Sequence, residues 1–335
     1  MRTFLIKTNR RALVRRVVLG LAVAGGLGVA TEWVAKAAFS RSVWMKLLPV
    51  GPFERIELIG SAASGTVLDG QGGWFNGGRP TEILIQSRET EGGWDCPEDI
   101  VIRNGRLRGR IRVIGMGRNG QSRPVRLSSY RENHTARAQA AAPAHILISN
   151  VQIVARGRIP IYLSPGATDI TIENCAFRGW SSSVAIYLDA ESGRNVIRNN
   201  TFASRVSREV IAVDGSAGNR IENNCFERFS LGGIYLYRNC GEGGTVRHQA
   251  PQDNIIAGNR FAAAALGWRA YGIWLGSRNG RRLYCETDAG YPFGSSANNR
   301  DFANNNTVTN NVFVPQVSRT LRDDGKNNRI ASEGE

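Results

Sequence analysis

Lysine is nearly missing from this chain. Only Lys7, Lys36, Lys46 and Lys326 occur among 43 basic residues, so arginine carries almost all of a formal net charge of +15. The rigid guanidinium fork suits carboxylate, sulfate and phosphate groups, and a basic balance favours an acidic polymer or an anionic surface as partner. Methionine and histidine are also sparse, three of each and unclustered, which leaves little soft ligand for a metal-delivery role. Five cysteines, an odd number, exclude a dense disulfide framework. No long hydrophobic run is present either. The apolar stretch Val17–Ala30 is short and glycine-rich for a stable membrane span.

What is present at the N-terminus has the layout of a secretory signal. An arginine-rich start precedes that apolar stretch, and small residues follow around Ala35-Lys36-Ala37. The Arg10-Arg11 pair resembles a twin-arginine signal, although Ala-Leu-Val follows it. Residues 1–37 are therefore expected to be a signal peptide or an uncleaved N-terminal anchor, and 38–335 a single domain in the periplasm or outside the cell. Removing residues 1–37 still leaves a net charge of +9. The basic character belongs to the folded part as well.

The domain is built from a repeat. The segments "DIVIRNGRL", "HILISNVQI", "DITIENCAF", "NVIRNNTF", "NRIENNCF", "NIIAGNRF" and "NTVTNNVF" end at Leu107, Ile153, Phe177, Phe202, Phe226, Phe261 and Phe313. Five positions earlier stands Ile102, Ile148, Ile172, Ile197, Ile221, Ile256 or Val308; three positions earlier stands Asn104, Asn150, Asn174, Asn199, Asn223, Gly258 or Asn310. A unit of 24 or 25 residues is too short to bury its own apolar side, so neighbouring units must stack. Alternating β-branched residues argue for strands, and Asn or Gly tolerates the left-handed conformation of a tight bend. Stacked in register at about 4.8 Å, the Ile and Phe columns become interior, and this Asn column is expected to form a hydrogen-bonded ladder. The interval from Leu107 to Ile153 predicts two coils, with "VRLSSY" as the intervening strand. Longer intervals after Phe226 mark loop insertions at 238–253 and 276–305, where function usually sits.

With these columns the chain resembles the right-handed parallel β-helix proteins of the pectate-lyase-like superfold, over Gly65 to Ile330. "GTVLDGQGGWF" looks like the opening coil of carbohydrate-active members. The resemblance implies an all-β fold, a right-handed parallel β-helix with inserted loops behind an N-terminal signal helix. It also implies a polysaccharide substrate and, in related lyases, Asp-bound Ca²⁺ with an arginine base. Asp189 and Asp214 would then hold Ca²⁺, and Arg238 would be the base, with Arg247, Arg278 and His248 as rivals. The paired carboxylates and Gly-His-Gly of polygalacturonases are absent, as is the Asp-Pro-His-Asp of mannuronan epimerases.

A second strand follows each Phe: "IPIYLS", "VAIYLD", "VIAVDG", "GGIYLY" and "YGIWLG". If its Ile residues point inward, alternation turns Tyr162, Tyr187, Ala212, Tyr235 and Trp274 outward. The next outward row is Ser164, Asp189, Asp214, Tyr237 and Gly276. Flat rings on an exposed face suit sugar rings, with Arg247 and His248 from the first insertion rimming the same groove. Asp189 and Asp214, stacked about 5 Å apart, could share a proton as an acid and an anion, sit near the separation found in retaining glycosidases, bind Ca²⁺, or simply be turn residues. His134 and His145 lie in other coils and read as structural or solvated.

Cys175 and Cys225, two coils apart, read as buried small apolar residues. Cys240 and Cys285 fall in the two insertions and are the natural disulfide pair of an exported protein. The expected function is therefore an exported carbohydrate-active protein, a lyase or glycosidase acting on an acidic polysaccharide; the alternative is a non-catalytic polysaccharide-binding or cell-surface structural protein. Export disfavours nucleic acid as a partner, and membrane contact is expected only through an uncleaved N-terminal segment.

Overall fold

A computed structural model describes residues 54–229, 231–262, 270–278, 291–297, 302–314, 317 and 319–331. The expected signal segment at 1–37 and Cys285 lie outside the described residues. Parallel pairing joins 23 strands into one continuous network among the described residues. Each coil contributes a strand to each of three faces. The first face stacks Thr171–Glu173, Val196–Arg198, Arg220–Glu222, Ile255–Ala257, Thr307–Thr309 and Arg329–Ala331. The second stacks Ala176–Ser181 on Thr201–Phe202, then Cys225–Phe226, Arg260–Phe261 and Val312–Phe313. The third begins at Glu54–Ile59 and Thr81–Gln86, before the first repeat recognised in the sequence, and continues through Ile161–Leu163, Ile186–Leu188, Ile211–Asp214, Ile234–Tyr237, Ile273–Leu275 and Leu321–Asp323.

The interior columns are those the repeat predicts. Ile102, Ile148, Ile172, Ile197, Ile221 and Ile256 are all fully buried. Phe177, Phe202, Phe226, Phe261 and Phe313 form one stack with ring centroids 4.5–5.0 Å apart. Each such contact adds about 0.5–1.5 kcal/mol beyond simple burial. The opening coil closes the stack: Val67–Asp69 pairs with Val101–Arg103, and buried Phe75 packs against Gly105, where a Cβ would come within 2.6 Å of its ring.

Three expectations are corrected. Asn104, Asn150, Asn174, Asn199, Asn223 and Asn310 do make left-handed bends, with φ between 51 and 55°, but they do not form the main ladder. The ladder is carried one residue later, where Asn200, Asn224, Asn259 and Asn311 point inward and each Nδ2 donates to the next Oδ1 at 2.9–3.0 Å. A second ladder runs through Asn195, Asn219, Asn254, Asn306 and Asn328. These side chains also take up buried backbone groups, as Asn224 does for the N–H of Asn200 and the carbonyl of Ile197, which would otherwise stay unpaired.

Second, the Leu107–Ile153 interval is a single coil, because Leu107 pairs directly with Ile153. The surplus residues, 115–142, leave the stack and form two short helices, α1 (Arg123–Ser129) and α2 (His134–Ala140). In a strand Val125 and Leu127 would face the same way. Here Val125 is buried with Ser128 and Ser129 while Leu127 is exposed, which is helical spacing. Pro124, in the first turn, fits a helix start. Third, Cys175 is buried in the ladder column, but Cys225 faces outward and is half-buried, since it pairs with Thr201 and Arg260 in an outer column.

Candidate functional site

The third face carries the predicted outward rows. In register, one row reads Leu84, Arg112, Tyr162, Tyr187, Ala212, Tyr235, Trp274 and Arg322. Its rings are flanked by cations: the Arg112 guanidinium lies 4.4 Å from the centre of Tyr162, and that of Arg322 4.6 Å from Trp274. Beside Trp274, Arg319 lies 5.3 Å over Tyr271. Tyr187, Tyr271 and Trp274 stay partly exposed and pack against fully buried Ala212 and its neighbours, whereas Tyr162 and Tyr235 are only 6% and 7% exposed.

The second row holds the carboxylates, and they are buried. Asp189 is 4% and Asp214 0% exposed. Each tyrosine reaches diagonally to the next coil: Tyr162 Oη donates to Asp189 Oδ2 and Tyr187 Oη to Asp214 Oδ2, both at 2.5 Å. From above, the excursion at 115–142 brings the Gly120 N–H to Asp189 Oδ2 at 3.2 Å. The insertion 238–253 brings Asn239, whose backbone N–H and Nδ2 donate to Asp214 at 2.7 and 2.6 Å. Between them lies Arg247, buried, with Nη1 3.7 Å from Asp189 Oδ1. Arg238 is buried too, its Nη1 donating to the Arg247 carbonyl and its guanidinium stacked 4.5 Å from Phe302. Tyr237, fully buried, donates to Glu209 at 2.9 Å, and Arg278 lies 4.3 Å over its ring.

The expected open groove walled by Asp189, Asp214, Tyr162, Tyr237, Arg238 and Arg247 is thus roofed, while Tyr235 is buried instead against Tyr271 and Trp274. The two chain excursions cover it because the carboxylates give them hydrogen-bond acceptors to seat on. Burial raises the Asp189 carboxyl above the ordinary range, opposed by Arg247 and reinforced by the charge of Asp214. Burial disfavours the Arg247 charge, but Asp189 and Asp214 outweigh it and raise its pKa. Burial and the neighbouring carboxylates hold the Tyr162 and Tyr187 hydroxyls protonated well above their usual range.

This donor set does not fit Ca²⁺. Every oxygen of the pair already accepts from N–H or O–H groups, and Arg247 supplies the compensating positive charge. Among the described residues no group of three or more His, Cys, Asp or Glu could hold a metal ion.

Sequence reasoning missed the roof. Its underside is polar: Glu191, fully buried, accepts from Thr135 Oγ1 at 2.5 Å, from the His248 N–H at 3.0 Å and from the Gln249 N–H at 3.1 Å. His248 binds the Ser129 carbonyl at 2.8 Å and stacks on Phe293, so it faces the roof rather than a groove. His134, buried beneath, meets it edge-on at 5.1 Å. The two insertions are joined by an antiparallel bridge between Arg247 and Ser295. Cys240 is buried and disulfide-bonded, while Cys96, Cys175 and Cys225 are free. The sequence signals for the roof were surplus lengths alone, the insertion at 238–253 and the long interval between Leu107 and Ile153.

In-register coils, interior Ile and Phe columns and paired Asn ladders define a parallel β-helix protein. The family described as "Right handed beta helix region" matches residues 128–331, more than half of the chain, and the chain belongs to it. Among solved structures, the chain is similar to a mutant tailspike protein of E. coli bacteriophage HK620 in complex with pentasaccharide, at 12% identity and a TM-score of 0.41, covering 86% of this chain and 57% of that one. It is also similar to an alginate lyase from Paenibacillus sp. str. FPU-7, at 12% identity and a TM-score of 0.33, covering 87% of this chain and 97% of the other. This chain therefore spans little more than half the length of the tailspike chain. No curated protein matches it by sequence.

Proposed function

We propose that this protein is an exported β-helix that binds an acidic polysaccharide along its third face, with segment 1–37 as the export signal or anchor. One observation carries the reading: an outward row with a cation at each end, Arg112 and Arg322, and the partly exposed rings of Tyr187 and Trp274 between them. Rings offer faces to sugar rings, and guanidinium groups take the carboxylates. Six coil steps of about 4.8 Å each separate Arg112 from Arg322, a span that suits an extended polymer.

A second reading, catalysis by elimination or hydrolysis, has one observation in its favour. Burial keeps the Asp189 carboxyl protonated to higher pH than an ordinary carboxylate, the property of a general acid. Its roof argues against access by a polymer. A panel of uronate, sulfated and neutral polysaccharides separates the readings, scored for retention in an affinity gel and for unsaturated products and new reducing ends. Binding without products supports the first reading. Product formation that Asp189→Asn abolishes replaces it with the second, and retention of neutral chains as strong as that of acidic ones overturns both.

A further inference from the structure

The corner between the second and third faces holds a separate cleft of about 160 Å³, lined by Arg55, Arg110, Arg156, Arg158 and Glu82 over Thr81 and Gly109. The corner is tight. Gly109 has φ +149°, and a Cβ there would meet the Thr81 carbonyl oxygen at 1.8 Å, so the backbone itself forms the floor. Buried Glu82 holds one wall by bonding both Arg110 and, at 3.1 Å, Arg55. The other wall is uncompensated: among the described residues neither Arg156 nor Arg158 has an ion-pair partner, and both are exposed. Four arginines and one carboxylate therefore line the same cleft.

An aromatic platform adjoins that wall. Trp180 is 55% exposed and pairs in register with Arg156 on one side and Arg205 on the other. Its ring lies across Gly157, where a Cβ would come within 2.9 Å of the indole. The indole thus sits over the glycine that separates the two unpaired arginines.

We propose that this cleft binds a sulfated sugar, with the sulfate between Arg110, Arg156 and Arg158 and the sugar ring on Trp180. Fork-shaped donors from several arginines match the oxygens of a tetrahedral anion. A bare uronate brings one charge on a flat group that a single fork satisfies, which leaves the remaining surplus uncompensated. This inference shares with the third-face reading only the assumption that the partner is an acidic glycan; the site is different.

The test is titration of the full chain with dextran sulfate oligosaccharides, polygalacturonate, inorganic sulfate and a single-stranded DNA oligonucleotide. The double variant Arg156→Ala/Arg158→Ala removes exposed groups without internal partners, so it folds. It is expected to bind dextran sulfate about tenfold more weakly, the scale of a lost charge-assisted pair, and polygalacturonate within twofold of wild type. Trp180→Ala is expected to weaken dextran sulfate about threefold and to leave inorganic sulfate unchanged. The proposal is overturned if the double variant keeps its affinity for dextran sulfate, if Trp180→Ala has no effect on it, or if the oligonucleotide binds more tightly than dextran sulfate with the same losses. If wild type fails to bind polygalacturonate, the third-face reading falls, while the dextran sulfate titrations still report on the cleft.

Discussion

Arg247 shows how one residue can hold two chain excursions on the scaffold. Its guanidinium lies against Asp189, and the position facing it is Gly120, where a Cβ would stand 2.6 Å from Nη1 and 2.9 Å from Cζ. Gly120→Ala should therefore shift the guanidinium within its buried site, at an overpacking cost of about 1–3 kcal/mol, read as a lowered midpoint in urea. His134 gives a pH signature. Burial chiefly, partly offset by Glu191 and reinforced by His248, Arg247 and Arg137, brings its pKa from 6.5 down to about 4. The unfolded imidazole then takes up its proton before the native one, so stability falls as pH drops from about 6.5 to about 4. The loss approaches about 3 kcal/mol. Urea midpoints measured across that range should show a slope that His134→Gln reduces; identical slopes for the two proteins would contradict this role. Neither residue's part could be read from the sequence. The repeat register placed Asp189 and Asp214 one above the other, but Gly120 lies 69 residues before Asp189, and no periodicity records such a contact.

At the scale of elements, the repeat was legible where side chains point inward and obscure where two like residues adjoin. Ile and Phe columns recur because each must fill the same interior slot in every coil. The Asn-Asn pairs at 199–200, 223–224 and 310–311 hid which member lies inside. Asn104, Asn150 and Asn174 lack a second Asn and so drew the ladder to the wrong column. The two positions should respond differently. Asn224→Ala strips partners from the Asn200 N–H and amide and from the Ile197 carbonyl, all buried, and should cost about 3 kcal/mol. Asn223→Gly, at a left-handed bend where another coil already uses Gly258, should cost a few tenths of that or nothing. Denaturant titrations of both variants check the contrast. The excursion at 115–142 was misread as a strand for a related reason: its "VRLSSY" has apolar residues two apart, yet the buried set is spaced by three and four.

For the molecule as a whole, arginine abundance and the outward aromatic row were legible in the sequence. Which parts of the third face meet solvent was not visible, because the cover comes from insertions whose paths the repeat does not constrain. The roof divides the face into a buried central network around Asp189 and Asp214, to which the partly exposed Tyr187 is bonded, and accessible flanks at Arg112 on one side and at Trp274 and Arg322 on the other. The most direct test is calorimetric titration of wild type and Trp274→Ala/Arg322→Ala with polygalacturonate and with neutral dextran, at low and high salt. Polygalacturonate should bind wild type, weaken as salt screens the arginines, and bind the double variant about tenfold more weakly, while dextran gives no heat. Equal affinity of wild type and variant for polygalacturonate would contradict the assignment of binding to the third face.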